Sequence, residues 1–450
     1  MTQESRTTCS PGKTWPVNAN TGNFAIASLS LLTMTRLGWS AEEHRLLPAP
    51  YGRIYTDTFL TDGTSTGSAG LEELSAALWL GLRPEFTESW AANVLLTTSY
   101  ESSLSSGFAN PSGVSAGARE GYVVFSRNGF EERVGQQIIA WGNGDGYNPT
   151  DFLTARNDTF LRFDDELRRS GALSAMTSWT PADGSSPLNF TLVWTPWFAQ
   201  SRQLVVPGLI PPGVIVEDAQ FTASSIADTE LAAKISYLSP DGWDFAVEAF
   251  TGWNHEPELG SPIISQSGIL INQVFHRRKA LGAEGSWSTG KWIFRADIAF
   301  NLTENPDGSN PLIQPSNLDS IAGVERPIGS RARIIAQYIF RYYPYWSLPQ
   351  TPVATANSIL MNYPSQARNA TSLRVSYDLQ KSASHTLGLE FSGAINLDQG
   401  DFFLRPALKF NGSNGFGIVL GWNKYYGPAL TPFGALEPLS AGFLEASYLF

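Results

Sequence analysis

Gly442-Phe443-Leu444-Glu445-Ala446-Ser447-Tyr448-Leu449-Phe450, the last nine residues, is the stretch whose reading decides the fold. Successive side chains of an extended chain point to opposite faces. Leu444, Ala446, Tyr448 and Phe450 therefore share one face. Ser447 and Glu445 take the other, with Leu449 and Phe443 at its ends. One apolar and one polar face suit a wall between hydrocarbon and a wet interior, which ~9–11 residues can cross. A half-buried edge strand of a soluble sandwich would alternate too, so the rest of the chain has to decide.

Composition leans toward the membrane wall. Only 16% of the 450 residues are charged, and 12% are aromatic, whereas ordinary globular chains are ~25% charged. The aromatic surplus is what two interfacial girdles would consume. Mean hydropathy is nonetheless −0.13, as expected when lumen and loop residues offset lipid-facing ones. No run reaches the ~18 apolar residues of a membrane helix. The terminal segment resembles the assembly signal of bacterial outer-membrane β-barrels. That resemblance implies that the barrel-assembly machinery reads Tyr448 and Phe450.

Alternation predicts strands near 51–60, 71–83, 88–101, 119–127, 131–140, 171–179, 187–195, 226–238 and 242–252. It predicts nine more near 277–288, 290–301, 317–325, 330–341, 368–379, 384–396, 400–410, 414–424 and 440–450. About eighteen strands result, an even number as single-chain bacterial barrels require. In 290–301, Trp292, Phe294, Ala296, Ile298 and Phe300 oppose Lys291, Arg295, Asp297 and Asn301. In 330–341, Ile335 and Ile339 interrupt a face otherwise made of Arg331, Arg333, Gln337 and Arg341. The predicted fold is an all-β, antiparallel, up-and-down transmembrane barrel with short periplasmic turns and long external loops. The short connection 397–399 departs from that rhythm, and Gly268–Phe275 reads as a nineteenth strand, an extension of the next one or loop folded into the mouth, of which the alternation of short and long connections favours the last two.

The other end of the chain carries an address. Asn23–Met34 is an apolar stretch of signal-peptide length, followed by small residues at Gly38, Ser40 and Ala41. Residues 1–41 are expected to be a signal peptide with a long polar leader, and 42–450 a single barrel. The sole cysteine, Cys9, falls in the leader, so disulfide and thiolate chemistry are not expected in the mature chain. Residues 1–41 carry three of the 30 basic and one of the 41 acidic side chains, leaving 27 against 40. Nucleic acid is a poor partner for that balance.

The most distinctive local sequence is Gly135-Gln136-Gln137-Ile138-Ile139-Ala140-Trp141-Gly142-Asn143-Gly144-Asp145-Gly146-Tyr147-Asn148-Pro149-Thr150-Asp151, running on to Asp158. Gly142, Gly144 and Gly146 would let the chain leave a strand with positive φ, and Asn148-Pro149 would set the turns that follow. Folded back into a lumen, Asp145, Asp151, Arg156 and Asp158 would narrow and polarise a passage. Alternatively, they bond only within the loop. This segment resembles a poorly characterised family of outer-membrane barrels in which a strand ending in W-G leads into D-G-x-N-P-T-D. More loosely it resembles alginate-export and carbohydrate-selective porins. The resemblance implies an outer-membrane channel or exporter and fixes no substrate.

Strand alternation adds Lys234, Arg295, Arg331, Arg333 and Arg374 as lumen candidates, facing Asp228, Glu230, Asp244 and Glu248 or pairing across strands as structural supports. The acidic-then-basic run Phe163–Arg169 would either lie solvated or hold cations against lipid phosphates. Asn143–Gly146 lacks the ligand spacing of a calcium loop, so no metal is assigned, and no cofactor motif is present. Gly63–Gly67 and Gly113–Gly117 match G-x-S-x-G only as loop strings, and His255 is the most plausible base of the four histidines. No catalytic residue is assigned. The expected function is a channel for small polar solutes or a saccharide, among outer-membrane lipid and lipopolysaccharide, with oligomers allowed. The alternative is an exporter of polysaccharide or lipid with an inner-membrane partner.

Overall fold

The computed structural model describes residues 48–61, 70–103, 113–159, 162–181, 187–204, 206, 209–210, 213–217, 219, 228–265 and 268–450. The proposed signal peptide lies outside these residues, as does the Gly63–Gly67 string.

Eighteen strands form one antiparallel sheet. The first half comprises β1 (Tyr51–Thr61), β2 (Gly70–Leu82), β3 (Trp90–Ser103), β4 (Gly113–Arg127), β5 (Phe130–Gln137), β6 (Ala172–Trp179), β7 (Leu188–Trp197), β8 (Glu230–Leu238) and β9 (Trp243–Trp253). The second half comprises β10 (Arg277–Thr289), β11 (Trp292–Thr303), β12 (Asn317–Ile328), β13 (Ala332–Tyr342), β14 (Ala367–Lys381), β15 (His385–Asn396), β16 (Phe402–Gly412), β17 (Phe416–Tyr426) and β18 (Ala441–Leu449). Each strand pairs with its sequence neighbour, and β1 pairs with β18, from Arg53 opposite Leu449 to Leu60 opposite Gly442. The seam continues past β18, where Gly52 and Phe450 exchange backbone hydrogen bonds of 2.9 and 3.1 Å. The sheet therefore has no free edge, the condition under which strands can meet lipid.

Alternation decides which face is which. Along β11, Phe294, Ile298 and Phe300 are exposed on the outer surface, whereas Asp297, Ala299 and Asn301 are buried inside. The same holds at the C-terminus, where Leu444 and Tyr448 face out and Phe443 faces in, beneath the guanidinium of Arg405 at 4.0 Å from its ring. Aromatic rings gather at the end of the barrel where the tight turns lie. Trp243 stacks on Trp287 with centroids 4.9 Å apart, and Trp90 meets Phe125 at 4.9 Å. One two-residue turn among these, Asn128-Gly129, has φ of 51° and 81°, the left-handed pair that matches strand twist in a hairpin.

Four details of the sequence reading change or are resolved in the structure. Arg331 lies in the turn after Gly329 (φ 61°) and is exposed; the wall strand starts at Ala332. Gly113–Gly117, read as loop, begins β4. Ile138–Ala140, read as the end of a strand, has already left the sheet, and Ile139 packs inward. Gly268–Val274 is a strand of the loop layer, paired with Val214–Glu217, Ile263–Ser265 and Glu258–Leu259 and with no barrel strand.

That loop layer has its own small core. Leu259, Ile271, Val353, Ala356 and Ile359 are buried together with Leu204, Val206 and Ala435. A helix, α1 (Pro352–Leu360), enters on the Thr351 side chain, which accepts from the Ala354 N–H at 3.2 Å. Its Asn357 ties the segments together: it accepts from the Leu259 N–H at 2.8 Å and donates to the Leu312 carbonyl at 3.0 Å. Glu258 is buried in the same place, and its carboxylate accepts from the Gln314 N–H at 3.0 Å.

Burial lifts the Glu258 carboxyl to about 8, against the opposing pull of hydrogen bonds from Gln314, Asn254 and Asn357. The folded layer thus keeps a proton that an unfolded chain releases near ~4.3. Stability contributed by this group is full below that value and falls as pH rises toward 8. Proteases should accordingly cut the 254–276 segment faster at pH 9 than at pH 5, relative to a reference substrate. Glu258→Gln should abolish that difference. An unchanged pH response in the variant would assign it to another group.

Candidate functional site in the lumen

Between β5 and β6 the chain does not remain outside. Residues 138–159 and 162–171 turn into the bore, and the inward faces of strands around the barrel hold them there. Gly142 and Gly146 have φ of 96° and 82°, as expected, whereas Gly144, expected to share that conformation, does not. Gly144 is required for a different reason: a Cβ there would sit 2.5 Å from the Ile321 side chain and 2.0 Å from the Tyr147 carbonyl. This close approach puts two backbone donors on the wall. Asn143 and Gly144 N–H both donate to the Asp297 carboxylate, at 2.8 and 3.2 Å.

The next residues continue around the wall. Asp145 N–H donates to Gln337 Oε1 (2.6 Å), while Gln337 Nε2 donates to the Asp145 carbonyl (2.8 Å). The Asp145 carboxylate pairs with Arg374 on β14 at 3.1 Å. Burial pushes this carboxyl up and Arg374 pulls it back. Tyr147 donates its hydroxyl proton to Asp319 and accepts from Arg341, which itself binds Asp319 at 2.7 Å. An apolar contact holds the opposite side. Trp141, Phe152 and Leu153 pack with Val193, Ala232, Phe250 and Ala280 from β7 to β10, and Phe152 stacks on Phe250 at 5.7 Å.

The loop then crosses to β1. Arg162 binds Asp57 at 3.1 Å and Glu101 at 3.1 Å. Asp57 is completely buried and also accepts from Tyr55 and Ser75 hydroxyls. Arg53 holds Asp164 at 3.3 Å, and Phe163 lies under the guanidinium groups of Arg374 and Arg405. The run Asp164–Arg169 is therefore directed inward. Asp165 gathers Arg156, Arg168 and Arg169; burial opposes its charge, but the three guanidiniums outweigh it and hold the carboxyl low.

The sequence candidates separate into three sets. Asp145 and Arg374 join loop to wall. Asp151 binds Arg156 at 2.6 Å and Asp158 binds Arg168 at 2.8 Å, both within the loop. Lys234, Arg295 and Arg333 pair along the wall: Lys234 with Glu248 (3.0 Å) and Glu284, Arg295 with Glu325 (2.7 Å), and Arg333 with the same Glu325. Lys234 also lies 5.3 Å from the centre of the Trp141 ring. Glu230 faces none of these bases; it accepts from His255, which is buried 5.7 Å from the Phe198 ring. Asp297, Asp319, Gln337, Arg341, Arg53, Asp57 and Arg162 hold the loop and were not singled out. Three of them, Asp297, Gln337 and Arg341, lie on the polar faces that alternation identifies, which was the available signal.

No protein-family model matches this sequence, and no curated protein does. Solved structures do match its fold over most of its length. OccAB2 of Acinetobacter baumannii superposes with a TM-score of 0.53 at 10% identity, covering 91% of this chain and 99% of that one. OccAB3 of the same organism gives 0.51 at 12%, with 89% and 99% covered. The outer membrane protein OpdK of Pseudomonas aeruginosa gives 0.50 at 10%, with 90% and 99% covered. The likeness is one of fold.

Proposed function

We propose that this chain is a diffusion channel of the bacterial outer membrane, passing small polar solutes or a saccharide past the inward loop 138–171. One observation carries the proposal: a closed wall, apolar outside and ion-paired inside, has the loop between β5 and β6 hydrogen-bonded across the bore. A protein that only anchored itself in lipid would have no use for a charged, shaped lumen. Fixed charges on facing walls filter solutes by charge and dipole. The location of OpdK, an outer membrane protein by description, agrees with this placement. Tight turns and both ends of the barrel chain are assigned to the periplasmic side and the loop layer to the outside. Export of a polysaccharide or lipid is set aside, because such a conduit needs an open bore and this one is crossed.

Asp145 pairs with Arg374 on β14, across the bore from the strands that carry the loop, so its neutralisation changes the field in the bore. Asp145→Asn should leave Arg374 uncompensated and shift the reversal potential in a salt gradient toward anions. Asp158→Asn, which loses only a pair within the loop, should shift it much less. Equal shifts would place the current elsewhere.

Tyr448 and Phe450 retain their proposed role as an assembly signal. Replacing both with Ser should block insertion into the outer membrane while secretion across the inner membrane continues. Normal amounts of heat-modifiable barrel in that variant would exclude the assignment.

A further inference from the structure

The acidic run Asp164–Glu166 faces the bore, so it does not meet lipid headgroups. The outer wall offers another place. Between β7 and β11 the lipid-facing surface dips into a groove of about 500 Å³, within the size range of small-ligand sites. Ala233 and Ala249 form its floor, and Leu231, Leu281 and Phe300 stand around it. Lys279 and Thr251, opposite each other in register, line it at the loop-layer end of their strands.

A lysine in this position is unexpected. Lys279 lies on the outward row of β10 with Leu281 and is exposed. It makes no ion pair among the described residues, whereas its neighbours His276 and Arg277 are engaged by Glu304 (2.8 Å) and Asp228 (3.8 Å). From Trp287 in the turn-end girdle to Lys279 along β10 is roughly 20 Å of membrane normal, at ~3.3 Å per residue and ~40° tilt. The apolar band of such barrels is ~25 Å tall, so the ammonium reaches headgroup level while the alanine floor lies at acyl depth. A second outer groove of similar size, around Leu389, Pro406 and Leu408, is lined by no basic residue; its one charged lining group is Glu390.

We propose that the Ala233–Ala249 groove binds an acyl chain of lipid A, the phosphorylated glycolipid of the outer leaflet, with Lys279 on a phosphate. The assignment rests on the orientation given under Proposed function. Charge complementarity selects an anionic amphiphile, and the loop-layer end selects the outer leaflet.

Native mass spectrometry of the purified barrel with hexa-acylated lipid A tests this, with phosphatidylglycerol as a second arm. Lys279→Gln should weaken retention of lipid A about five-fold, as expected for one cation at a membrane surface. Ala249→Leu, which fills the floor, should abolish it, and Leu408→Phe in the other groove should not change it. Heat-modifiable mobility confirms that each variant is folded. Equal retention by wild type and both groove variants overturns the proposal, as does equal retention of phosphatidylglycerol. An oligomer that dissociates in Ala249→Leu also overturns it, by making the groove a contact between copies. Lipid A retention by a barrel that carries no current would sink the channel and leave the groove standing.

Discussion

Ile298→Arg should destabilise the barrel by roughly 2–4 kcal/mol, the range for a guanidinium on the lipid face near the bilayer midplane. Ile298 is exposed on the outer face of β11, four residues beyond Phe294 of the turn-end girdle, where a charge would have no partner and no water. Arg295→Ala, on the inner face of the same strand, should cost much less. Glu325 would lose Arg295 but keep Arg333, so no carboxylate is left without a cation. Urea titrations of both variants folded into lipid vesicles measure the difference. Equal losses would mean that the inward and outward faces have been exchanged, since a one-residue slip moves every side chain to the other face.

The second large effect concerns the bore. Shortening the loop between Gly144 and Asn157 removes the Asp145 bridge to Arg374, the Tyr147 bridge to Asp319 and Arg341, and the Phe152 contact with Phe250. The eighteen strands keep every ladder hydrogen bond, because none of these contacts belongs to the sheet. Single-channel conductance should rise several-fold and discrimination between solutes should weaken, while the folded barrel remains heat-modifiable. Loops this long inside a compact domain are commonly lids or constrictions. Wild-type conductance in the shortened barrel would show that the current runs where the loop does not reach.

The barrel was legible in the sequence because its signal is local. Alternation along 290–301 or 440–450 reports lipid on one side and polar surroundings on the other without knowledge of any other strand. Boundaries blurred where alternation lapsed, at the glycine-rich start of β4 and at Ile138-Ile139, where Ile139 packs with the loop rather than lipid. Ile335 and Ile339 looked like errors on a polar face. Nearby Ile321 shows how an inward apolar side chain can serve here, since Gly144 of the loop rests on it.

The site was legible only in part, for a physical reason. Lys234 with Glu248 follows from hairpin register, as the two stand directly opposite across the turn 239–242. Asp151 with Arg156 follows from proximity in the chain. Asp145 with Arg374, and Arg162 with Asp57, depend on how far around the wall a loop reaches, which no local pattern encodes. The proposed acid wall of Asp228, Glu230, Asp244 and Glu248 has no counterpart: Glu248 neutralises Lys234, Glu230 meets His255, Asp228 meets Arg277 at 3.8 Å and Asp244 accepts from Ser286.

Current through the purified wild-type barrel in a planar lipid bilayer tests the central claim most directly. The account predicts discrete single-channel steps with a reversal potential that departs from zero in a salt gradient and moves toward anions in Asp145→Asn. A correctly folded barrel that inserts into the bilayer and shows no steps, or steps indifferent to both the loop and Asp145, would contradict it.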